Sequence, residues 1–344
     1  MDLGAVISTI PSTLRLLSNL KAEPLPDIPI LAVKVKVTWC CNLSCIFCSL
    51  PEPRLTMARD TALKLGRELS AQGLRKVHFS GGEILTHPEC FDILSDWARL
   101  GVQVNLTSNG FLMDKEQIKR LEDAGVHSVS LSIDSADRKV HDRLRGRKGS
   151  YKAVIRAAAR IAARGRMKLR VNTVVTSFNI AKLPELRDLI CGLGAGISWK
   201  LIPVDPIREG LLPSASVLED TAVMVRHWPE LEDNAPFGTT EEEFREVAAG
   251  RHGFRPGFCY VPWFNLFFAP DGACYPCCMA RGQMAPLGLY PGDTVRKIVS
   301  GRPLSAFRSL IASGAKHEAC SYCDDFLAEN RTIADIVSHR TFVT

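Results

Sequence analysis

The chain has 344 residues, of which 46% are hydrophobic and 23% are charged, and its formal net charge is +6. These values are typical of a globular protein with one large and one smaller domain, and no apolar run approaches the ~20 residues of a membrane span. There is no block of Lys and Arg and no nucleic-acid motif, so we expect either an ordinary solvated surface or an anionic substrate, such as a phosphorylated or carboxylated compound.

The N-terminus, MDLGAVISTIPSTLRLLSNLK, differs from a signal peptide, because Asp2 stands where a positive residue belongs and Pro11 interrupts the apolar part. We therefore expect a cytoplasmic protein without a membrane partner. Its twelve cysteines are then expected to bind metal rather than to form disulfides. We predict an N-terminal extension over 1–30, a core domain over 31–225 and a smaller domain over 226–344.

Strand and helix patterns alternate along the core domain. The predicted strands are 31–38, 75–80, 102–108, 126–134, 168–176 and 197–204, and the predicted helices are 58–73, 88–101, 115–125, 149–165 and 182–194. Six β-then-α units predict parallel strands joined by right-handed crossovers. The predicted fold class is α/β, a partial (β/α)6 TIM-like barrel, although the same pattern is compatible with an open sheet.

The stretch CCNLSCIFC, residues 40–48, follows the first predicted strand. Within it Cys41, Cys45 and Cys48 have the spacing C-x3-C-x2-C, and Cys40 lies outside that frame. Zinc sites usually have four ligands in two pairs, whereas no fourth ligand follows here. Three thiolates on a four-iron cluster would leave one iron open to a small molecule.

Three further polar motifs follow the next three strands: SGGE (80–83), TSNG (107–110) and SIDSAD (132–137). In a barrel of parallel strands the loops after the strands meet at one rim, where the chemistry takes place. All four motifs are therefore expected at the same rim.

The alternation ends after about residue 210. An acidic, polar connector with a short helix is expected over 229–250. The stretch FCYVPWFNLFFAPDGACYPCCMARG (258–282) predicts a hairpin with its turn at 270–272. We expect this part to form the smaller domain.

The cysteine spacing, the aromatic Phe47 before the last cysteine and the GGE sequence resemble the radical SAM superfamily. The resemblance implies a [4Fe–4S] cluster on Cys41, Cys45 and Cys48, with S-adenosyl-L-methionine (SAM) chelating its open iron. Reductive cleavage of SAM in that family releases a 5′-deoxyadenosyl radical, which abstracts a hydrogen atom from the substrate.

The resemblance also implies further cofactor contacts. Phe47 would face the adenine, Gly81 and Gly82 would let the backbone approach the ligand, and Glu83 would accept from the methionyl ammonium. Ser132 and Asp134 are assigned to ribose hydroxyls, Arg145 to the methionyl carboxylate, and Asn109 and Asn172 to other contacts with SAM. For Ser132, Asp134, Arg145 and Asn172, the alternative interpretation is a structural cap or a surface ion pair.

The C-terminal cysteines resemble the auxiliary-cluster domains of the same superfamily, called SPASM or, when shorter, twitch. Cys259 is followed by twelve residues, Gly272, four residues and Cys277, and Cys320 and Cys323 form a C-x2-C pair. Because no cysteine follows Cys323, the resemblance implies one auxiliary [4Fe–4S] cluster. A structural zinc on the same four thiolates is the alternative.

Cys274 and Cys278 flank Cys277. Either one could replace Cys277 as a ligand or act as a hydrogen-atom donor in catalysis, and a packed thiol is the simpler interpretation of each. Cys40 is expected to point away from the first cluster, into the barrel wall.

The expected substrate is a carbohydrate-, aminocyclitol- or nucleoside-like small molecule, which an oxidoreductase or isomerase would convert in natural-product biosynthesis. About thirty residues precede the first strand, too few for a peptide-recognition domain. The expected partner is a flavodoxin- or ferredoxin-type electron donor, and no nucleic acid is expected. The alternatives are a maturase of a ribosomally made peptide and an iron–sulfur electron-transfer protein, which would not need to bind SAM.

Overall fold

The structure is a computed structural model, and the residues that it describes are 29–205, 207–225, 228, 241–250, 258–323 and 330. The predicted N-terminal extension lies almost wholly outside the described residues, as does most of the predicted connector. The division of the chain at 225/226 stays a prediction.

A nine-stranded sheet lies at the centre, in the order β6-β5-β4-β3-β2-β1-β7-β8-β9. Strands β1 to β6 are parallel, as the sequence predicts, and β7 pairs parallel to β1, whereas β8 and β9 are antiparallel additions. The strands are β1 Ala32–Thr38, β2 Lys76–Gly81, β3 Gln103–Ser108, β4 Val126–Ser132, β5 Lys168–Val175, β6 Ser198–Pro203, β7 Asn265–Phe268, β8 Ala273–Tyr275 and β9 Gly288–Leu289.

Helices follow most of the parallel strands. They are α1 Arg59–Ala71, α2 Cys90–Arg99, α3 Lys115–Asp123, α4 Arg138–Leu144, α5 Ser150–Arg164, α6 Leu183–Leu193, α7 Ala215–Val225, α8 Glu241–Ala248, α9 Val261–Phe264, α10 Val295–Val299 and α11 Arg302–Ala312. All five predicted helices of the core are present within two residues at each end. Helix α4 is missing from the sequence prediction, because its seven residues are too short to show an apolar period.

The two faces of the sheet have opposite character. In β1, Val33, Val35 and Val37 pack into the main apolar core beneath the helices, while Lys34 and Lys36 point to the other face. Phe79 and Trp97 meet edge to face in that core, with ring centroids 5.1 Å apart. Each such buried side chain contributes about 1.5–3 kcal/mol. The second face is polar and forms the concave interior of the partial barrel.

The sheet is not closed in the part of the chain that the structure describes, because β6 pairs with β5 alone. The α/β partial barrel is therefore confirmed, in its open form. None of the described helices has the length and apolar character needed to cross a membrane.

The predicted hairpin is confirmed, with β7 and β8 antiparallel on either side of the turn. It does not stand apart from the core, because β7 pairs with β1 through four residues from Ala32↔Asn265 to Val35↔Phe268. The C-terminal cysteines are thus carried to the same sheet that carries the first cysteine cluster.

Candidate active site

The cysteine loop leaves β1 and is closed at its base by backbone contacts. Trp39 N donates to Leu55 O at 2.8 Å, and Met57 N donates to Val37 O at 2.8 Å. The buried Thr38 hydroxyl lies 2.8 Å from that of Thr56 and accepts a bond from Cys40 N. The loop over residues 40–54 therefore leaves and rejoins the same strand end.

The glycines of the GGE motif fit against the base of this loop. Gly82 N donates to Thr38 O at 2.9 Å. A Cβ atom at Gly81 would overlap the carbonyl oxygen of Thr38, and one at Gly82 would overlap that of Cys40. The two glycines thus permit a close approach of two backbones, whereas the sequence had predicted an approach to the cofactor.

Glu83 is 1% exposed and lies between the loop and the end of β3. Its carboxylate accepts bonds from Asn109 N at 2.7 Å, Ser108 Oγ at 2.9 Å and Leu85 N at 3.2 Å. Burial raises the pKa of the Glu83 carboxyl, and these donors oppose that rise. The result is a fixed carboxylate beneath the cysteine loop, whose role toward the SAM ammonium stays a prediction.

Asn109 follows β3 and is 8% exposed. Its amide nitrogen donates to Asn42 Oδ1 at 2.8 Å and lies 3.9 Å from the Cys41 sulfur. Asn109 therefore connects Glu83 to the cysteine loop, through its backbone on one side and its side chain on the other.

Asp134 and Arg145 form a buried ion pair beside Cys45. Arg145 Nε and Nη2 donate to the two Asp134 carboxylate oxygens at 2.6 and 2.9 Å, and Val174 N donates to the same carboxylate at 3.0 Å. Arg145 Nη1 lies 3.9 Å from the Cys45 sulfur, and its guanidinium lies 5.2 Å from the centroid of the Phe47 ring. Asp134 accepts these bonds from protein donors, and its predicted contact with ribose stays a prediction. Arg145 bridges Asp134, Cys45 and Phe47.

Ser132 and Asn172 lie opposite each other in the pairing of β4 with β5, and Asn172 lies opposite Lys200 on β6. All three face the concave interior. Their predicted contacts with SAM stay predictions.

The three thiols of the loop fit an iron–sulfur cluster. Cys41, Cys45 and Cys48 are free and half-buried, and burial raises the pKa of Cys45 to about 11, with smaller effects from Arg145, Asp134 and the other two thiols. Soft thiolate donors without a fourth protein ligand suit a cluster with an open iron. In the described residues no group of three or more His, Cys, Asp or Glu is placed to hold a single metal ion. That finding bears only on mononuclear sites, because a four-iron cluster separates its ligands more widely.

The second cysteine group lies in apolar surroundings. Cys259, Cys277 and Cys320 all pack against one apolar cluster that includes Trp263 and Phe307. Cys323 N donates to Cys320 O at 3.2 Å, which closes the C-x2-C turn. The donor set again suits an iron–sulfur cluster, here with four thiolates.

Asn330 and Arg308 support this second site, and the sequence had signalled neither. Asn330 Oδ1 accepts from Tyr260 N at 2.6 Å, and its Nδ2 donates to Phe258 O at 3.0 Å. It thereby holds both neighbours of Cys259. The buried Arg308 donates to Pro262 O at 3.0 Å.

The remaining cysteines of the two loops point in different directions. Cys274 is fully buried in the main core on the helix side of the sheet, which disfavours it as a hydrogen-atom donor. Cys278 faces the interior, where Lys34 Nζ lies 3.3 Å from its sulfur. Cys40 Sγ contacts Arg54 O at 3.6 Å and Thr56 Oγ1 at 3.7 Å. It therefore points toward the returning end of the loop, not into the barrel wall.

Sequence reasoning also missed Arg208 and the two interior lysines of β1. Arg208 donates to Cys48 O at 2.7 Å, and it follows β6, so the rule that places chemistry after the strands would have indicated it. Arg208, Ile46 and Phe178 line an open pocket of about 500 Å³ beside the cysteine loop. Lys34 and Lys36 lie in the predicted strand 31–38, whose alternation does not show that their face is the concave interior.

Comparison with known families gives two matches. Residues 35–190 match the Radical SAM superfamily, and residues 259–324 match SPASM, an iron–sulfur cluster-binding domain. The first match covers the cysteine loop through α6, and the second covers all four predicted auxiliary ligands. These families imply a [4Fe–4S] cluster, SAM and auxiliary iron–sulfur chemistry, and the two cysteine sets fit the two iron–sulfur sites.

Curated relatives align with nearly the whole chain. The PqqA peptide cyclase of Gluconobacter oxydans is 32% identical, over 88% of this chain and 84% of the relative. The PqqA peptide cyclase of Streptomyces rochei is 30% identical, over 90% and 85%. Among solved structures, Streptococcus suis SuiB has a TM-score of 0.65 at 17% identity, over 88% of this chain and 74% of that one, which supports the fold.

The expected carbohydrate-, aminocyclitol- or nucleoside-like substrate is wrong. Relatives at 30% identity or more that align with over four fifths of both chains are peptide cyclases. The expectation rested on the short segment before β1, and that segment does not determine what the open concave interior admits.

Proposed function

This chain belongs to the radical SAM superfamily and carries a C-terminal SPASM domain, and from that premise we propose that it forms a covalent cross-link within a peptide. The observation that carries the proposal is the near full-length similarity to two peptide cyclases. The open edge of the sheet at β6 supports it, because an extended chain needs a lateral entrance to a partial barrel.

Bound SAM and the two clusters supply hydrogen-atom abstraction and one-electron redox chemistry. The protein residues hold and orient these groups. Cys41, Cys45 and Cys48 would anchor the first cluster, and Glu83 and Arg145 would contact SAM. Cys259, Cys277, Cys320 and Cys323 would anchor the auxiliary cluster, and the first three of them pack against apolar side chains.

The electron balance explains why two sites are needed. Joining two carbon atoms that each carry hydrogen breaks two C–H bonds and forms one C–C bond, so two hydrogen atoms leave the peptide. One leaves as a hydrogen atom at the first site. The second leaves as a proton and an electron, and the electron needs an acceptor within reach. We assign that acceptor role to the auxiliary cluster, and we propose a flavodoxin- or ferredoxin-type protein as the external electron donor.

The proposal is tested with the anaerobically reconstituted protein, SAM, a reductant and the short peptides encoded near its gene. We expect one peptide to lose the mass of two hydrogen atoms, with a new link visible in fragmentation spectra. The variant with Cys259, Cys277, Cys320 and Cys323 all replaced by alanine should leave the peptide unlinked. Cleavage of SAM with no change in any peptide would contradict the proposal.

Because Cys278 faces the interior, the peptide could instead be epimerised. The variant Cys278→Ala distinguishes this reaction from cross-linking. In deuterated water an epimerisation would replace one carbon-bound hydrogen with deuterium at an unchanged oxidation state, and Cys278→Ala would abolish that exchange. A cross-link retains its mass loss in Cys278→Ala.

A further inference from the structure

Strands β1 to β6 contribute basic side chains, and no acidic ones, to the concave face of the sheet. The inward-pointing positions of strands β1 to β6 include the basic residues Lys34, Lys36, Lys76, Arg170 and Lys200. None of these six strands contains an Asp or a Glu. The two buried carboxylates at the rim, Glu83 and Asp134, already accept bonds from protein donors.

Lys36 lies on β1 close to both cysteine sites. Lys34, on the same face of this strand, has its ammonium 3.3 Å from the sulfur of Cys278, and Cys278 adjoins the auxiliary ligand Cys277. The cysteine loop of the first site begins at the end of the same strand. The Lys36 ammonium also lies 5.9 Å from the centroid of the Phe267 ring on β7.

Within the described residues, Lys36 forms no ion pair with a carboxylate. Burial and, to a smaller extent, the positive charge of Arg281 lower the pKa of Lys36 to about 8, although Cys278 and Cys48 oppose the change. A cation in partly desolvated surroundings is costly unless an anion pairs with it. The chemistry of this position therefore calls for an anionic group that enters the interior from outside.

We propose that Lys36 binds a side-chain carboxylate of the substrate peptide and thereby places the neighbouring residue between the two cluster sites. This inference rests on the proposed peptide substrate. It assigns Lys36 as a specificity-determining residue and predicts a substrate with Asp or Glu at a fixed position. The methionyl group of SAM is a second source of a carboxylate for Lys36, and the experiment separates it from the peptide carboxylate.

The experiment is an anaerobic selection from a random-sequence peptide library displayed on mRNA, with reconstituted full-length protein and SAM. Wild type, Lys36→Met and Lys168→Met are compared, the last as a matched control because Lys168 is an exposed lysine at the start of β5. We expect wild type and Lys168→Met to enrich peptides with an acidic residue at one position. We expect Lys36→Met to lose that enrichment.

A selected peptide and its analogue with Gln in place of the Glu then complete a double-mutant cycle. The Glu→Gln exchange should weaken binding to wild type by about 10-fold or more, as for a lost charge-assisted contact, and should leave binding to Lys36→Met unchanged. Lys36→Arg should retain the preference. Iron content and thermal unfolding verify that each variant is folded. If Lys36→Met does not fold, Lys36→Gln takes its place in the experiment.

Two other outcomes overturn the Lys36 assignment, and a third overturns the proposed function. Selected peptides without an acidic preference overturn the Lys36 assignment and leave the proposed function intact. A retained acidic preference in Lys36→Met, with SAM binding weakened about 10-fold, overturns it too and assigns the lysine to the cofactor. Failure of wild type to select any peptide overturns the proposed function itself.

Discussion

The two cysteine sites differ in what surrounds them. The first is enclosed by polar groups fixed by hydrogen bonds, namely Glu83, Asn109 and the Asp134–Arg145 pair. The second is enclosed by Trp263, Phe307 and other apolar side chains. A site that binds and activates a polar ligand needs oriented donors and charges. A site that only carries electrons needs burial, so the surroundings indicate the role of each cluster better than the cysteines do.

The largest expected effect comes from removing one cysteine set at a time. Wild type should hold about eight irons per chain, and either the Cys41/Cys45/Cys48 triple alanine variant or the Cys259/Cys277/Cys320/Cys323 quadruple variant should hold about four. Only the triple variant should lose SAM cleavage completely. Iron analysis and assay of 5′-deoxyadenosine measure both quantities. Loss of SAM cleavage in the quadruple variant, at unchanged iron in the first site, would contradict the division of roles. Zinc bound at the second site would also contradict the division of roles.

The next effect concerns the polar surroundings of the first site. Arg145→Met would leave the fully buried Asp134 without its cation, so we expect the free energy of unfolding to fall by about 3–5 kcal/mol. As a control, Lys119→Met breaks the exposed pair with Asp123 and should cost under about 1 kcal/mol. Denaturant unfolding under anaerobic conditions measures both. Equal losses in the two variants would show that the buried pair does not hold this site together.

A smaller effect is expected from Glu83→Gln, which keeps the shape of the side chain and removes its charge. If the SAM ammonium lies against Glu83, the affinity for SAM should fall about 10- to 100-fold, because charge-assisted contacts contribute about 1.5–3 kcal/mol. Equilibrium dialysis measures the affinity, and exposed Glu116 provides the control variant Glu116→Gln. Unchanged affinity in Glu83→Gln would leave this carboxylate a structural anchor of the loop alone.

The smallest effect is expected at Cys40. Its sulfur contacts Arg54 O and Thr56 Oγ1, so Cys40→Ala should leave iron content and SAM affinity unchanged. A loss of about four irons in this variant would mean that Cys40 serves as a cluster ligand.

The sequence could predict the strands and the cysteine sets, but not the polar contacts that surround the first site. Periodicity located strands β1 to β6, because alternating valines and polar residues in β1 and its neighbours reflect two faces of one sheet. Fixed spacing located both cysteine sets. The roles of Asp134 and Arg145 could not be predicted in the same way, because their pairing depends on a buried contact across eleven residues and on the backbone of β5. Asn330 was missed because it acts on Cys259 from seventy residues away.

The alternating pattern of β1 does not show what its polar face contacts. Lys34 and Lys36 alternate with valines, a pattern typical of a strand with one face in water, yet they face an interior shared by both cysteine sites. The substrate prediction failed for a related reason. It was drawn from the length of chain before β1, whereas the concave surface that we propose meets the substrate is assembled from six strands.

The division of roles between the two sites is tested most directly by electron paramagnetic resonance of the reduced protein with and without SAM. In the quadruple variant, which retains Cys41, Cys45 and Cys48, SAM should shift the cluster signal, because the open iron gains ligands. In the triple variant, which retains the auxiliary site, the signal should be identical with and without SAM. A shift in the triple variant, or none in the quadruple variant, would contradict the account.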